Sequence, residues 1–329
     1  MVRRLFFNGS DGESLDSQRD SPLCICPHGS PRPNFFLPPE FSERVLVHIA
    51  KNFVAHSCGV NIPLILAIQG SQGDGKSAQV KETCSRSGIY VYPISGSFLS
   101  GSHEKEAVEI LAEAYINAYS VSRNTKCLVV ILIDDFDLSV ASTFDEREYT
   151  VNSQLLTGFL MNLADDPTKC GREKVSRIPI IVTGNNFTSL YDPLTRHGRM
   201  DFFTWFPTHE QKLEIVKHMY GSCISRQDLS RLSQLVHEFH DEPVSFFDAL
   251  KNDYLNDIIS RVIRNSGSLK IGEVEKAAKS AFAQGIDVAH LRTLAIQRKA
   301  VQRKDYIRYP DVAKNNQAYY LPGQSGQNF

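Results

Sequence analysis

The chain has 329 residues, 42% of them hydrophobic, and a formal net charge of −1. That length can bury a full core in one large domain or two smaller ones, and the near-neutral charge excludes a general electrostatic grip on nucleic acid or an anionic membrane. Seven scattered cysteines, an odd number, read as reduced thiols rather than a disulfide framework.

Residues 1–34 read as a flexible arm. Arg3, Arg4 and many serines suit a plastid transit peptide, whereas Asp11, Glu13, Asp16 and Asp20 are residues such peptides avoid, so both readings stay open. Cys24, Cys26 and His28 have metal-ligand chemistry but lack a matching second pair, which favours a plain arm.

The folded chain is expected from residue 35, where Val45, Ile49 and Phe53 recur at fourfold spacing on a helix face. Four β-branched runs follow: Pro63 to Ile68, Ile89 to Ile94, Leu128 to Ile133 and Ile178 to Thr183. All but Ile89 to Ile94, which alternates more, are apolar throughout, as strands of a parallel sheet covered on both faces are. None approaches the roughly 20 apolar residues that cross a bilayer. Helical patterns lie between them, with Val108, Leu111, Tyr115 and Ala118 and then Leu156, Leu160 and Leu163, so strand alternating with helix predicts a doubly wound α/β domain over 35–206. A fifth strand is predicted at Phe202 to Phe206. From 207 to 308 the pattern is helical only, and its last stretch carries Arg292, Arg298, Lys299, Arg303, Lys304 and Arg308. Those basic residues are either a grip for acidic partners or a solvated face. The Asn-, Gln- and Gly-rich tail, 309–329, is expected to be disordered.

Gly70-Ser71-Gln72-Gly73-Asp74-Gly75-Lys76-Ser77 matches the phosphate-loop pattern G-x4-G-K-[ST], directly after one predicted strand and before a predicted helix, and Ala78 joins the loop residues as a candidate nucleotide contact. Glycines let the backbone curl so that its N–H groups and the helix N-terminus face phosphate oxygens. Lys76 places a point charge at the β and γ phosphates, and Ser77 offers a hydroxyl to Mg²⁺. A nucleoside triphosphate with magnesium is the implied ligand.

Hydrolysis needs a second acidic element, and the run Leu128 to Ile133 ends in Asp134-Asp135-Phe136-Asp137. Carboxylates there sit at the strand edge where open α/β sheets bind ligands. Asp134 is the candidate to hold Mg²⁺ through water, and Asp135 the acid that polarises the attacking water. The third predicted strand end, Thr183-Gly184-Asn185-Asn186, offers Asn185 to orient that water or sense the γ-phosphate. Arg196 and Arg199 flank a turn, and beside a phosphate loop they are candidates for arginine fingers acting on a neighbouring subunit.

The order of these motifs resembles AAA+ ATPases, and the text between them resembles Rubisco activase. The carrying stretches include Val47-His48-Ile49-Ala50-Lys51-Asn52-Phe53, Leu160-Met161-Asn162-Leu163-Ala164-Asp165, Pro179-Ile180-Ile181-Val182-Thr183-Gly184-Asn185 and Phe246-Phe247-Asp248-Ala249-Leu250, and the likeness spans roughly residues 35 to 265. It implies an AAA+ αβα P-loop NTPase domain with a helical lid, a homo-oligomeric, hexameric ring with active sites between subunits, ATP and Mg²⁺ as cofactors, and Rubisco in the plastid stroma or a cyanobacterial cytoplasm as client. It places a first pore loop at Gly96-Ser97-Phe98-Leu99-Ser100-Gly101 and a second at Val140 to Glu148, with Phe98 and Leu99 read otherwise as minor core residues.

The chain departs from the family in several places. Asp134-Asp135 stands where Asn-Asp is usual, the first pore loop lacks the acidic Glu-Leu-Glu character, and only the short arm stands in place of the Rubisco-docking domain. Lys251 occupies the lid sensor position without arginine's planar fork, and Asp253 replaces a second arginine. An ATP-driven remodeller of another client and a nucleotide-binding scaffold with little turnover are the competing functions.

Overall fold

Five strands form one parallel sheet: β1 (Ile65–Gln69), β2 (Tyr90–Ser95), β3 (Val129–Asp134), β6 (Ile180–Gly184) and β7 (Met200–Thr204), in the order β2-β3-β6-β1-β7. The computed structural model describes residues 31–99, 105–137, 151–188, 190–221, 223–265 and 270–306. The arm up to residue 30 with Cys24, Cys26 and His28, the Val140 to Glu148 loop, Ser100 and Gly101, and the tail from 309 lie outside the described residues.

Side-chain alternation along the strands feeds two separate cores, which is why the central strands read as continuous apolar runs. Ile65, Ala67, Ile131, Ile133, Ile180 and Val182 face one layer, built by α4 (Glu106–Thr125) and α5 (Val151–Asp165) through Leu111, Tyr115, Leu156 and Leu160. Leu66, Ile68, Val130, Leu132 and Ile181 face the other, where α1 (Pro39–Cys58) and α2 (Lys76–Arg86) contribute Phe41, Val45, Ile49 and Val80. The more alternating β2 is an edge strand and carries Pro93, a residue that only an edge tolerates. A short helix, α3 (Gly96–Leu99), follows it.

The fifth strand lies two residues earlier than its apolar run suggests. It starts at once after the turn through Gly198, because Ile65 N–H already bonds Arg199 O and Met200 is then in register with Ile65. Trp205, assigned to the strand from sequence, lies beyond it and packs against Phe41. A small hairpin, β4 (Lys169–Cys170) and β5 (Glu173–Lys174), carries no periodic signal and was not expected.

A short α6 (Asp192–Thr195) precedes β7. Beyond β7 the chain is helical: α7 (His209–Tyr220), opened by a Thr208/Gln211 capping box, then α8 (Leu229–Glu238), α9 (Val244–Asn265), α10 (Ile271–Gln284) and α11 (Val288–Tyr306). They close over a third core of Tyr220, Leu235, Phe247, Leu250 and Leu291, distinct from the two sheet cores. Among the basic residues of α11, Arg292 pairs with Glu238, Arg298 with Asp253 and Lys299 with Glu242, so they brace the helical unit. No helix of the described residues is long and apolar enough to cross a membrane.

Candidate nucleotide site

The C-terminal edge of the sheet gathers the sequence motifs because all five strands are parallel and every crossover returns to the same side. β1 runs straight into the phosphate loop, and Gly75, at a φ of 76°, turns the chain into α2. Lys76 is buried, and its Nζ donates to Gly70 O and Ser71 O, both at 2.9 Å, and to Asn185 Oδ1 at 3.2 Å. The loop thus wraps its own cation and holds it against the end of β6. Burial holds the Lys76 pKa below its ordinary value, while Asp74, Asp137 and Asp135 pull it the other way.

A polar chain crosses three elements beside it. Ser77 Oγ lies 3.1 Å from Thr183 Oγ1, and the Thr183 hydroxyl donates to Asp134 Oδ1 at 3.2 Å. Asp134 Oδ2 accepts from Lys81 Nζ at 2.8 Å. Two hydroxyls, one carboxylate and an ammonium therefore sit side by side at the mouth of the loop. Among the described residues no group of three His, Cys, Asp or Glu side chains gathers, and this sparse oxygen set fits an ion that keeps waters and takes its other ligands from phosphate.

Asp135 is exposed and has a positive φ of 54°, an uncommon conformation for a residue other than glycine. Asp137 works differently: its Oδ2 accepts the Asn185 N–H at 2.8 Å and the Asn186 N–H at 3.4 Å, fixing the turn that presents Asn185 to Lys76. Sequence reading passed over Thr183, Lys81 and Asp137 as site residues. Lys81 lies four and five residues beyond Ser77 and Lys76 on α2, a helical spacing that was available as a signal.

Arg196 and Arg199, expected to act on a neighbouring subunit, lie on the turn before β7. Arg199 makes a two-pronged pair with Asp165 at the end of α5, Nε to Oδ1 at 2.7 Å and Nη2 to Oδ2 at 2.6 Å, and its Nη1 donates to Pro193 O at 2.6 Å. Arg196 is exposed on the same turn. Neither is at the phosphate loop of its own chain. Lys251, expected to reach nucleotide from the helical unit, here donates to Met219 O at 3.1 Å, one of the open C-terminal carbonyls of α7, and lies over the Tyr220 ring.

A parallel sheet with a phosphate loop, an acidic β3 end and a polar β6 end defines a P-loop ATPase domain. Residues 66–208 match the AAA family, the ATPase family associated with various cellular activities, so this stretch of the chain is an AAA domain. Plant and cyanobacterial Rubisco activases are its homologues. The chain is 32% identical over 246 residues to the ribulose bisphosphate carboxylase/oxygenase activase, chloroplastic, of Arabidopsis thaliana, covering 73% of this chain and 51% of that protein. It is 34% identical over 271 residues to the activase of Nostoc sp., covering 78% of this chain and 64% of the relative. The chain thus spans about half to two thirds of the length of these relatives.

Proposed function

We propose that the chain hydrolyses ATP with Mg²⁺ and uses the cycle to remodel a protein client, with Rubisco held by an inhibitory sugar phosphate as the first candidate. The observation that carries the catalytic part is the convergence of Lys76, Ser77, Thr183, Asp134 and Asn185 from three elements at one sheet edge. When bound, Mg–ATP supplies the phosphoanhydride bond whose hydrolysis drives the motor. Lys76 and the loop N–H groups hold its phosphates, Ser77 and Asp134 hold the ion, and Asp135 and Asn185 orient the attacking water.

The client part is supported by the likeness to Rubisco activases and by the first-loop geometry. Phe98 is 62% exposed while Leu99 is fully buried, so α3 anchors in the core and presents one aromatic side chain outward. A Cβ on Gly96, the first residue of α3, would lie 2.2 Å from Asp135 O, so the backbone of the presenting helix rests against the acidic strand end. Movement at Asp135 is then transmitted directly to Phe98. In this reading the active protein is a ring, hexameric as the resemblance implies, in which Arg196 and Arg199 reach the neighbouring nucleotide, and the helical unit is the lid. The plastid stroma is the proposed compartment.

A second reading, a nucleotide-binding scaffold with little turnover, is favoured by the engagement of both Arg199 and Lys251 with partners inside their own chain. The deciding experiment is reactivation of sugar-phosphate-inhibited Rubisco by the purified protein with ATP and Mg²⁺, run beside phosphate release and a Lys76→Ala control. Reactivation that needs Lys76 supports the proposal. Phosphate release without reactivation moves the client elsewhere, and neither signal from a folded protein supports the scaffold.

A further inference from the structure

A carboxylate inside a phosphate-binding loop opposes the anion that the loop holds. Asp74 is such a residue, and its side chain is 5% exposed and spent on the helical unit: Oδ1 accepts the N–H of Val244, the first residue of α9, at 3.1 Å. The next N–H of that helix, Ser245, donates to Gly73 O at 2.9 Å, and the indole Nε1 of Trp205 donates to Asp74 O at 3.2 Å. A Cβ on Gly73 would come within 2.1 Å of Ser245 Oγ, so loop and helix touch closely enough to exclude a larger residue.

The carboxylate thus satisfies one of the orphan N–H groups at the start of a 22-residue helix from 170 positions away, where the helix dipole favours negative charge. Burial raises the Asp74 pKa, and the Val244 N–H, Lys212, Lys76 and the Ser71 hydroxyl all act to lower it. Lys212 also donates to His240 O and Glu242 O, holding the turn that leads into α9.

We infer that Asp74 is a positioning residue that links the phosphate loop to α9, so that the shape of the loop and the position of the helical unit change together. The inference rests on reading the loop as the nucleotide site. It gives nucleotide a mechanical route to the helical unit through residues 73–74 and 243–245, while Lys251, at the expected sensor position, is engaged with Met219 O.

The test is hydrogen exchange at the Ser245 amide of the full chain, with and without Mg–ADP, together with ADP titration and the KM and kcat of ATP turnover. Wild-type exchange is expected to slow on ADP binding. Asp74→Ala and Val244→Pro remove the same bond from its two ends, proline being tolerated at the first position of a helix. Each is expected to reduce the ADP-dependent slowing about tenfold, the scale of a hydrogen bond to a charged group. Asp74→Asn keeps an acceptor and is expected to retain most of it, and the double variant Asp74→Ala/Val244→Pro should lose no more than either single one. Unchanged slowing in Asp74→Ala, or in Val244→Pro if Asp74→Ala does not fold, overturns the link, as does full additivity. Wild-type protein that binds no ADP overturns the nucleotide reading itself.

Discussion

Lys76 on one side and Arg199 with Lys251 on the other are cations that the family resemblance sends to nucleotide, Arg199 to that of a neighbouring subunit, yet the fold holds them in different ways. Lys76 takes two of its three acceptors from carbonyls five and six residues before it, so the loop that creates the site also aims the charge. Arg199 has one such near acceptor, Pro193 O, but spends its two-pronged pair on Asp165, 34 residues away on α5, and Lys251 bonds Met219 O, 32 residues away on α7. The difference teaches that a cation enclosed by its own turn is placed by local backbone geometry, whereas one projecting from a turn or helix goes to whichever acceptor the assembled fold puts nearest.

The sharpest way to break the comparison is to ask whether Arg199 leaves Asp165 to serve another subunit. Arg199→Ala is expected to lower ATP turnover about 10³-fold, the lower end for an arginine finger. Lys76→Ala is expected to lower it by about 10² to 10³, as loss of a preorganised charge does. Mixing the two variants regenerates intact sites only if Arg199 acts between subunits, so partial recovery of phosphate release is expected. Absence of recovery would return Arg199 to a purely internal role.

His48 of α1, a buried histidine of the core, shows the same dependence on distant partners. It is 1% exposed, its Nε2 lies 3.3 Å from Ile180 O, and burial, aided by the charge of Lys51, lowers its pKa to about 3. A native value below the ordinary 6.5 means that the unfolded chain takes up the proton first. Stability from this group is therefore complete above pH 6.5 and is lost as pH falls toward 3. Between pH 7 and pH 5 the loss is expected to be about 2 kcal/mol. Denaturant titrations at the two pH values, on wild type and His48→Asn, would show it as a pH dependence that the variant lacks. The smallest effect is expected at Lys251: Lys251→Met should change ADP affinity by less than about twofold, because the bond it loses is to Met219 O. A tenfold loss would place Lys251 at the nucleotide in the closed state.

Much of the nucleotide domain was legible in the chain alone. All five strands fall within two residues of their apolar runs, and in the central ones burial on both faces of a parallel sheet leaves an uninterrupted signal. The edge strand β7 was displaced, since with only partial burial its ends are set by pairing with β1 rather than by hydrophobicity. The hairpin of β4 and β5, with two residues in each strand, is too short to carry any period.

The sequence by itself determined the class of chemistry, since a phosphate loop and an acidic strand end are contiguous motifs whose function follows from local backbone geometry. It also separated a sheet-forming half from a helical half through the change of hydrophobic period after residue 207. Only the tertiary structure decided which polar groups meet: Thr183 with Ser77 and Asp134, Lys81 with Asp134, Asp137 with the turn of Asn185, and Asp74 with Val244. These partners lie between 48 and 170 residues apart, apart in sequence by whole crossovers, and a hydrogen bond needs contact within about 3 Å. No periodicity along a chain encodes such contacts, because they exist only once the sheet has brought its strand ends together.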